Sequence, residues 1–194
     1  MDLSIDRIIS FWFDPCYQVK RWFEKSDDLD NQIRVDFGDL VSQARTPALD
    51  SWTQNPRGTL AMLVLLDQFT RNIFRGSAEA FDGDAKAMDI SVKAISKGFD
   101  REVEPMQQAL FYLPLMHNES LLSQIATVSF YENYAQRCQS DSPAKSFATD
   151  SVGFAKNHRD VIAMFGRFPG RNKALGRTST AEEVQYLKEH PSGF

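Results

Sequence analysis

The side chains with chemical potential lie in three separated segments. The first reads Leu66-Asp67-Gln68-Phe69-Thr70-Arg71-Asn72-Ile73-Phe74-Arg75, where charged and amide residues interrupt the most apolar stretch of the chain. Asp67, Arg71 and Arg75 recur every four residues, a spacing that lines one face of a helix, and Gln68 and Asn72 form a row beside them. Guanidinium and amide groups in such a row suit a planar carboxylate or a phosphate, because arginine presents paired donors in a fixed fork. The same residues also serve one another, as an Asp67–Arg71 ion pair with Gln68 and Asn72 capping neighbouring loops.

The second segment runs from His158-Arg159-Asp160 to Phe165-Gly166-Arg167-Phe168-Pro169-Gly170-Arg171-Asn172, a basic stretch in an acidic chain. Pro169 and Gly170 predict a turn, whose backbone amides would supplement Arg167, Arg171 and Asn172 around an anion. The third segment, Leu113-Pro114-Leu115-Met116-His117-Asn118-Glu119-Ser120, joins two apolar helices. His117 with Glu119 and His158 with Asp160 invite a metal reading, since imidazole and carboxylate suit zinc, manganese or iron. Residues two apart on a helix point to nearly opposite sides, however, so neither pair closes on one ion and no metal is assigned. In an enzyme, Asp67, Glu119 or Asp160 would act as base and His117 or His158 as acid or base near neutral pH.

Positioning these groups falls to helices. Apolar residues recur at helical spacing along almost the whole chain, with no convincing series of alternating strands, which predicts an all-α protein. Ile5, Ile8, Ile9, Trp12 and Phe13 mark a first helix ending before Pro15, and Leu29, Ile33, Phe37, Leu40, Val41 and Ala44 mark a second, opened by Ser26-Asp27-Asp28. Asn55-Pro56 caps a third that is apolar on nearly every side from Leu60 to Phe74 and is therefore expected at the centre, as one regular helix. Further helices are expected from Asp84 to a stop at Gly98, and from Glu104-Pro105 to an interruption or end at Pro114. Others should run through Leu121, Leu122, Ile125, Val128 and Tyr131 to a break at Ser140-Asp141-Ser142-Pro143, and through Phe147, Phe154, His158, Val161 and Ile162 to Gly166. Thr180-Ala181-Glu182-Glu183 has the form of a capping box opening a short last helix.

Composition narrows the functional classes. At 194 residues the chain suits a single helical domain over 1–194, with 42% hydrophobic and 25% charged residues as in folded soluble proteins. A net charge of −4 gives no general attraction to nucleic acid or an anionic membrane. Arg21 beside Trp22-Phe23, and Arg167-Phe168, alone approach the basic-aromatic interleaving of a single-strand binder, so nucleic acid is disfavoured as a partner. The apolar run from Leu60 to Leu66 is far too short to cross a bilayer, which predicts no membrane association. Met1-Asp2-Leu3-Ser4-Ile5-Asp6 lacks the basic start of a secretory signal, and Cys16 and Cys138 read as free thiols, so a cytoplasmic location is expected.

Taken in order, Phe11-Trp12-Phe13, Leu66-Asp67-Gln68-Phe69 with Arg71-Asn72, Leu113-Pro114-Leu115-Met116-His117 with Glu119, and His158-Arg159-Asp160 with Gly166-Arg167-Phe168-Pro169 and Arg171-Asn172 resemble an uncharacterised family catalogued as domain of unknown function 924. The resemblance covers nearly the whole chain, including Leu175-Gly176-Arg177 and Thr180 to Glu183. It implies an all-helical fold of TPR-like, α-solenoid-like kind, an array of antiparallel helices. Thr70 stands where the family commonly has proline and Gly170 where it commonly has histidine, which removes one imidazole from the second segment. The family carries no established activity, and no cofactor or oligomeric state is implied.

These residues support two functional readings. In the leading one, Gln68, Arg71, Asn72, Arg75, Arg167, Arg171 and Asn172 bind a small phosphorylated or carboxylated ligand, which a hydrolase or transferase would turn over and a sensor would only hold. In the other, a TPR-like surface binds a protein partner and the polar motifs are internal struts.

Overall fold

A computed structural model describes residues 3–16, 22, 25–138, 140, 142–191 and 193. Met1, Asp2, Arg21, Phe23 and Asp141, which carry some of the expectations above, lie outside them. The described residues form helices, turns and loops, with no strand among them, and no helix is long and apolar enough to cross a membrane. They group into two compact units, Met1–Pro114 and Leu115–Phe194.

In the first unit, α1 (Leu3–Trp12) buries Ile8, Ile9 and Trp12. Helix α2 (Asp27–Ala44) opens as expected: the Ser26 side chain accepts from the Leu29 amide, and three aspartates in the first turn meet the positive end of the helix. Its buried face is Leu29, Ile33, Phe37, Val41 and Ala44, with Asp30 buried among them. A 3₁₀ segment, Pro47–Gln54, brings in Trp52, and Asn55 then caps α3 (Pro56–Leu63) by accepting from the Gly58 amide.

The central helix departs from the regular form. Between α3 and α4 (Thr70–Ile73) the backbone widens into a π-helical segment, Val64–Phe69, every residue of which is buried. The Thr70 amide donates to the Leu65 carbonyl five residues back, and Thr70 Oγ1 donates to the same oxygen at 3.0 Å. The Gly83 backbone comes so close that a Cβ there would lie 2.2 Å from the Leu66 carbonyl oxygen. Of the four-residue row of Asp67, Arg71 and Arg75, Asp67 and Arg71 remain within 3.4 Å of each other while Arg75 leaves it. Arg75 lies beyond the helix, in a turn.

Helix α5 (Asp84–Ser96) stops at Gly98, whose φ of 80° is left-handed. The segment begun at Glu104-Pro105 is shorter than expected: α6 (Pro105–Gln108) tightens into a 3₁₀ turn, Ala109–Phe111, ahead of Pro114. A buried triad holds this change of path. Tyr112 donates its hydroxyl to Asp100 Oδ2 at 2.6 Å, and Gln108 Nε2 donates to the Tyr112 oxygen at 2.7 Å. Pro114 is the second residue of a new turn, α7 (Leu113–Met116), where its missing amide is one that a helix start leaves unpaired anyway.

The second unit is built on a hairpin of α8 (Leu121–Arg137) and α9 (Pro143–Phe165), which ends at Gly166 with φ of 68°. Helix α10 (Ala181–Glu189) comes after a 3₁₀ turn, Pro169–Arg171, and both bonds of the expected capping box are present. The start of α8 is inverted relative to the expected pattern. Leu122 is 76% and Ile125 50% exposed, while Ser123, Gln124 and Thr127 are buried. Backbone carbonyls explain the inversion: Gln124 Nε2 donates to Met116 O at 2.8 Å and to Asn118 O at 2.6 Å, so the end of the preceding turn is satisfied from inside the unit. Phe154 of α9, expected inside, is exposed as well.

Gly83→Ala should destabilise the protein by about 1–3 kcal/mol, because backbone and not a flexible side chain must yield. Gly38→Ala in α2, where an added Cβ meets nothing within 4 Å, should instead stabilise by about 0.5–1 kcal/mol. Urea unfolding of the two variants checks both signs.

Candidate functional site

The residues singled out from sequence fall into two sets, one in each unit. In the first unit, Asp67 is only 2% exposed and accepts from Gln68 Nε2 at 2.5 Å. Arg71 Nη2 reaches Asp67 Oδ1 at 3.4 Å but makes its shorter bonds to both carboxylate oxygens of Asp84, at 2.8 and 3.0 Å, and the guanidinium lies over the Phe81 ring. Arg71 thus bridges Asp67 in its own helix and Asp84, the first residue of α5. Arg75 and Asn72 converge on Asp30: Arg75 Nε and Nη2 donate at 2.6 and 2.8 Å, and Asn72 Nδ2 at 2.7 Å. Burial by itself raises the Asp30 carboxyl, but the bonds from Arg75 and Asn72 outweigh it and hold the group below the usual carboxylate range.

In the second unit one continuous network ties the third segment to the second and to the last helix. Glu119 takes a two-pronged bond from Arg177, Nη1 to Oε2 at 2.7 Å and Nη2 to Oε1 at 3.0 Å, and the Phe168 amide adds a third at 2.8 Å. These bonds overcome burial and lower the Glu119 carboxyl. Arg177 Nε donates to Asn172 Oδ1 at 2.9 Å, and Asn172 Nδ2 donates on to Glu183 Oε2 at 3.1 Å. Glu183, 2% exposed, also receives Arg167 through Nε at 2.6 Å and Nη2 at 2.9 Å, and the Thr180 amide at 2.8 Å. The Arg167 bond, which outweighs burial, pulls the Glu183 carboxyl from its ordinary value down to about 2. Arg171 Nη2 donates to the His117 carbonyl at 2.8 Å, with its guanidinium over the Phe168 ring.

The histidines sit beside this network. Their ring centres are 6.3 Å apart, and His158 packs edge-on against Phe168 with Nδ1 bonded to the Phe154 carbonyl at 2.8 Å. Asp160, two residues on, is exposed and held by its neighbour Arg159 at 2.7 and 2.9 Å, on the opposite side of α9 as helical geometry requires. Among the described residues no three His, Cys, Asp or Glu side chains gather into a metal-holding cluster.

Sequence reasoning passed over Asp30, Asp84, Arg177 and Glu183 as partners. Glu183 was legible as a helix cap and Asp84 as a helix start, but both also close ion pairs with distant residues. The signal for Asp30 was its place on the apolar face of α2, one residue after Leu29 and three before Ile33, where an aspartate requires a buried partner. Asp30, Glu119 and Glu183 remain charged well into acid and hold cations, which is the chemistry of a strut and not of a base poised near neutrality.

Residues 8–191 match the model of a family described as bacterial proteins of unknown function, and the chain belongs to that family. The chain is similar to a solved structure of a protein of unknown function from Agrobacterium tumefaciens, with 33% identity and a TM-score of 0.84 over 95% of this chain and 97% of that one. No curated protein matches it.

Because the Glu183 carboxyl titrates lower folded than unfolded, its contribution to stability is complete above the ordinary carboxyl value and is lost as pH falls toward about 2. Thermal melts of wild type and Glu183→Gln from pH 7 to pH 2 should therefore converge at the acid end, with the variant melting lower at pH 7. Asp30→Ala strands Arg75 and Asn72, and should cost about 2–3 kcal/mol in urea unfolding, a value below that of a fully buried pair because Arg75 is partly solvated.

Proposed function

We propose that this member of a family of unknown function is a helical protein-interaction module, of TPR-like kind and acting in the cytoplasm, whose polar motifs are internal struts. The observation that carries the reading is the engagement of the motif arginines. Arg71 is bonded to Asp84, Arg75 to Asp30, Arg167 to Glu183 and Arg171 to the His117 carbonyl. A pocket for a phosphorylated or carboxylated ligand would have to draw Arg71, Arg75 and Arg167 from carboxylates already in place, leaving each carboxylate uncompensated, and Arg171 from a backbone carbonyl. The exposed leucine and isoleucine at the start of α8 add a surface suited to a partner, since apolar side chains there are not needed by the unit's own core. The α8–α9 hairpin is the kind of unit from which TPR-like arrays are stacked. Free Cys16 and Cys138 suit a reducing compartment.

The test is a thermal-shift screen against phosphates, nucleotides and dicarboxylates, run on wild type and on Arg71→Ala. No saturable stabilisation by any of these anions is expected, and Arg71→Ala should lower the melting temperature in their absence. Saturable stabilisation by one anion class that a folded Arg71→Ala protein no longer shows would overturn the reading in favour of an anion pocket.

A further inference from the structure

Alongside the network of the second unit, the end of α9 and one face of α10 border an open groove of about 1150 Å³. Its floor is apolar and aromatic. Met164 is exposed in it, the Phe165 and Tyr186 rings meet edge to face at 5.1 Å, and Tyr186 stacks on His190 at 4.4 Å. Phe165 and Tyr186 pack with one side against Val161, Ile162 and Phe168, and Met164, 65% exposed, extends the apolar floor into solvent.

The charge around the groove has one sign in excess. Its lining carries Glu182, Glu183 and Glu189 against Arg167 and the imidazole of His190, and Arg167 is bound to Glu183. Glu182 is bonded only within its own turn, to its backbone and to Thr180, and Glu189 accepts from Gln185 Nε2 at 2.6 Å. Among the described residues neither pairs with a cation. Glu182, Tyr186 and Glu189 share the groove face of α10, so the two carboxylates stand seven residues apart at either end of an aromatic surface. At about 1.5 Å per residue that separation is about 10 Å along the helix.

We propose that this groove docks an extended basic segment of a partner protein, two of whose lysines or arginines reach Glu182 and Glu189 while an apolar residue between them lies on Met164, Phe165 and Tyr186. An extended chain in the polyproline II conformation has three residues per turn and rises about 3.1 Å per residue, so basic residues three apart recur on one side about 9 Å apart, close to the spacing of the two carboxylates. The inference rests on the interaction-module reading and names its partner class.

The test titrates a short fluorescent peptide, carrying two arginines three residues apart with a leucine between them, with the full-length protein in about 0.15 M salt, read by anisotropy. Saturable binding is expected, with no binding of the same peptide carrying glutamates in place of the arginines. The Glu182→Gln/Glu189→Gln protein, whose altered side chains are on the surface, should bind about tenfold more weakly with an unchanged melting temperature. Met164→Lys, which places a cation on the floor, should weaken binding as well. Absence of saturable binding, or equal binding by wild type and the double variant, would overturn the proposal. So would competition by free arginine amide at the peptide's own affinity, which would mark a small-cation site. Sedimentation showing a wild-type dimer that Met164→Lys dissociates would assign the groove to a second copy of the chain and overturn it too. Failure of the peptide titration with no anion response in the thermal screen removes the groove alone, whereas an anion response dependent on Arg71 removes the interaction reading itself.

Discussion

A carboxylate taken out of water must find its full complement of donors, and Glu183 shows how much structure that one demand organises. Its two oxygens are met by Arg167, Asn172 and the Thr180 amide. Asn172 can serve Glu183 only with its amide oriented by Arg177, and Arg177 in turn holds Glu119, which accepts the Phe168 amide. Five side chains from three separated stretches are thereby fixed by a chain of hydrogen bonds in which each member completes its neighbour. The capping box of the last helix is one end of this chain. A local signal for a helix start and a long-range anchor are thus the same carboxylate.

The first unit meets the same demand differently. The arginines at the end of its central helix each find an acceptor on another element: Arg71 on α5 and Arg75 on α2. The close approach of Gly83 to the Leu66 carbonyl marks where the widened turn is packed against the loop that leads into α5.

With the charged motifs occupied in this way, two surfaces of the second unit keep apolar side chains in solvent. The start of α8 turns leucine and isoleucine outward because its polar side chains are needed inside, for the carbonyls at the end of α7. The face of α10 alongside the network carries Tyr186 between two carboxylates. Both features are consequences of satisfying backbone and buried charge first, and both leave apolar side chains for a partner to cover.

The sequence by itself determined the helical class, most helix starts and the stops at Gly98 and Gly166, because caps, prolines and left-handed glycines act through atoms a few residues apart. It also carried the family resemblance, through motifs spread along the chain. Tertiary structure decided the phase of the central helix, the inward turn of Ser123, Gln124 and Thr127, and the acceptor chosen by each arginine. Periodicity ranks side chains by polarity and assigns the apolar ones to the interior. That rule fails where a buried carbonyl or carboxylate requires a donor, since the cost of leaving it unmet exceeds the gain from burying one more leucine. Arg71 offers the plainest case: Asp67, its neighbour by count along the helix, is reached at 3.4 Å, while Asp84 from another element takes the shorter bonds.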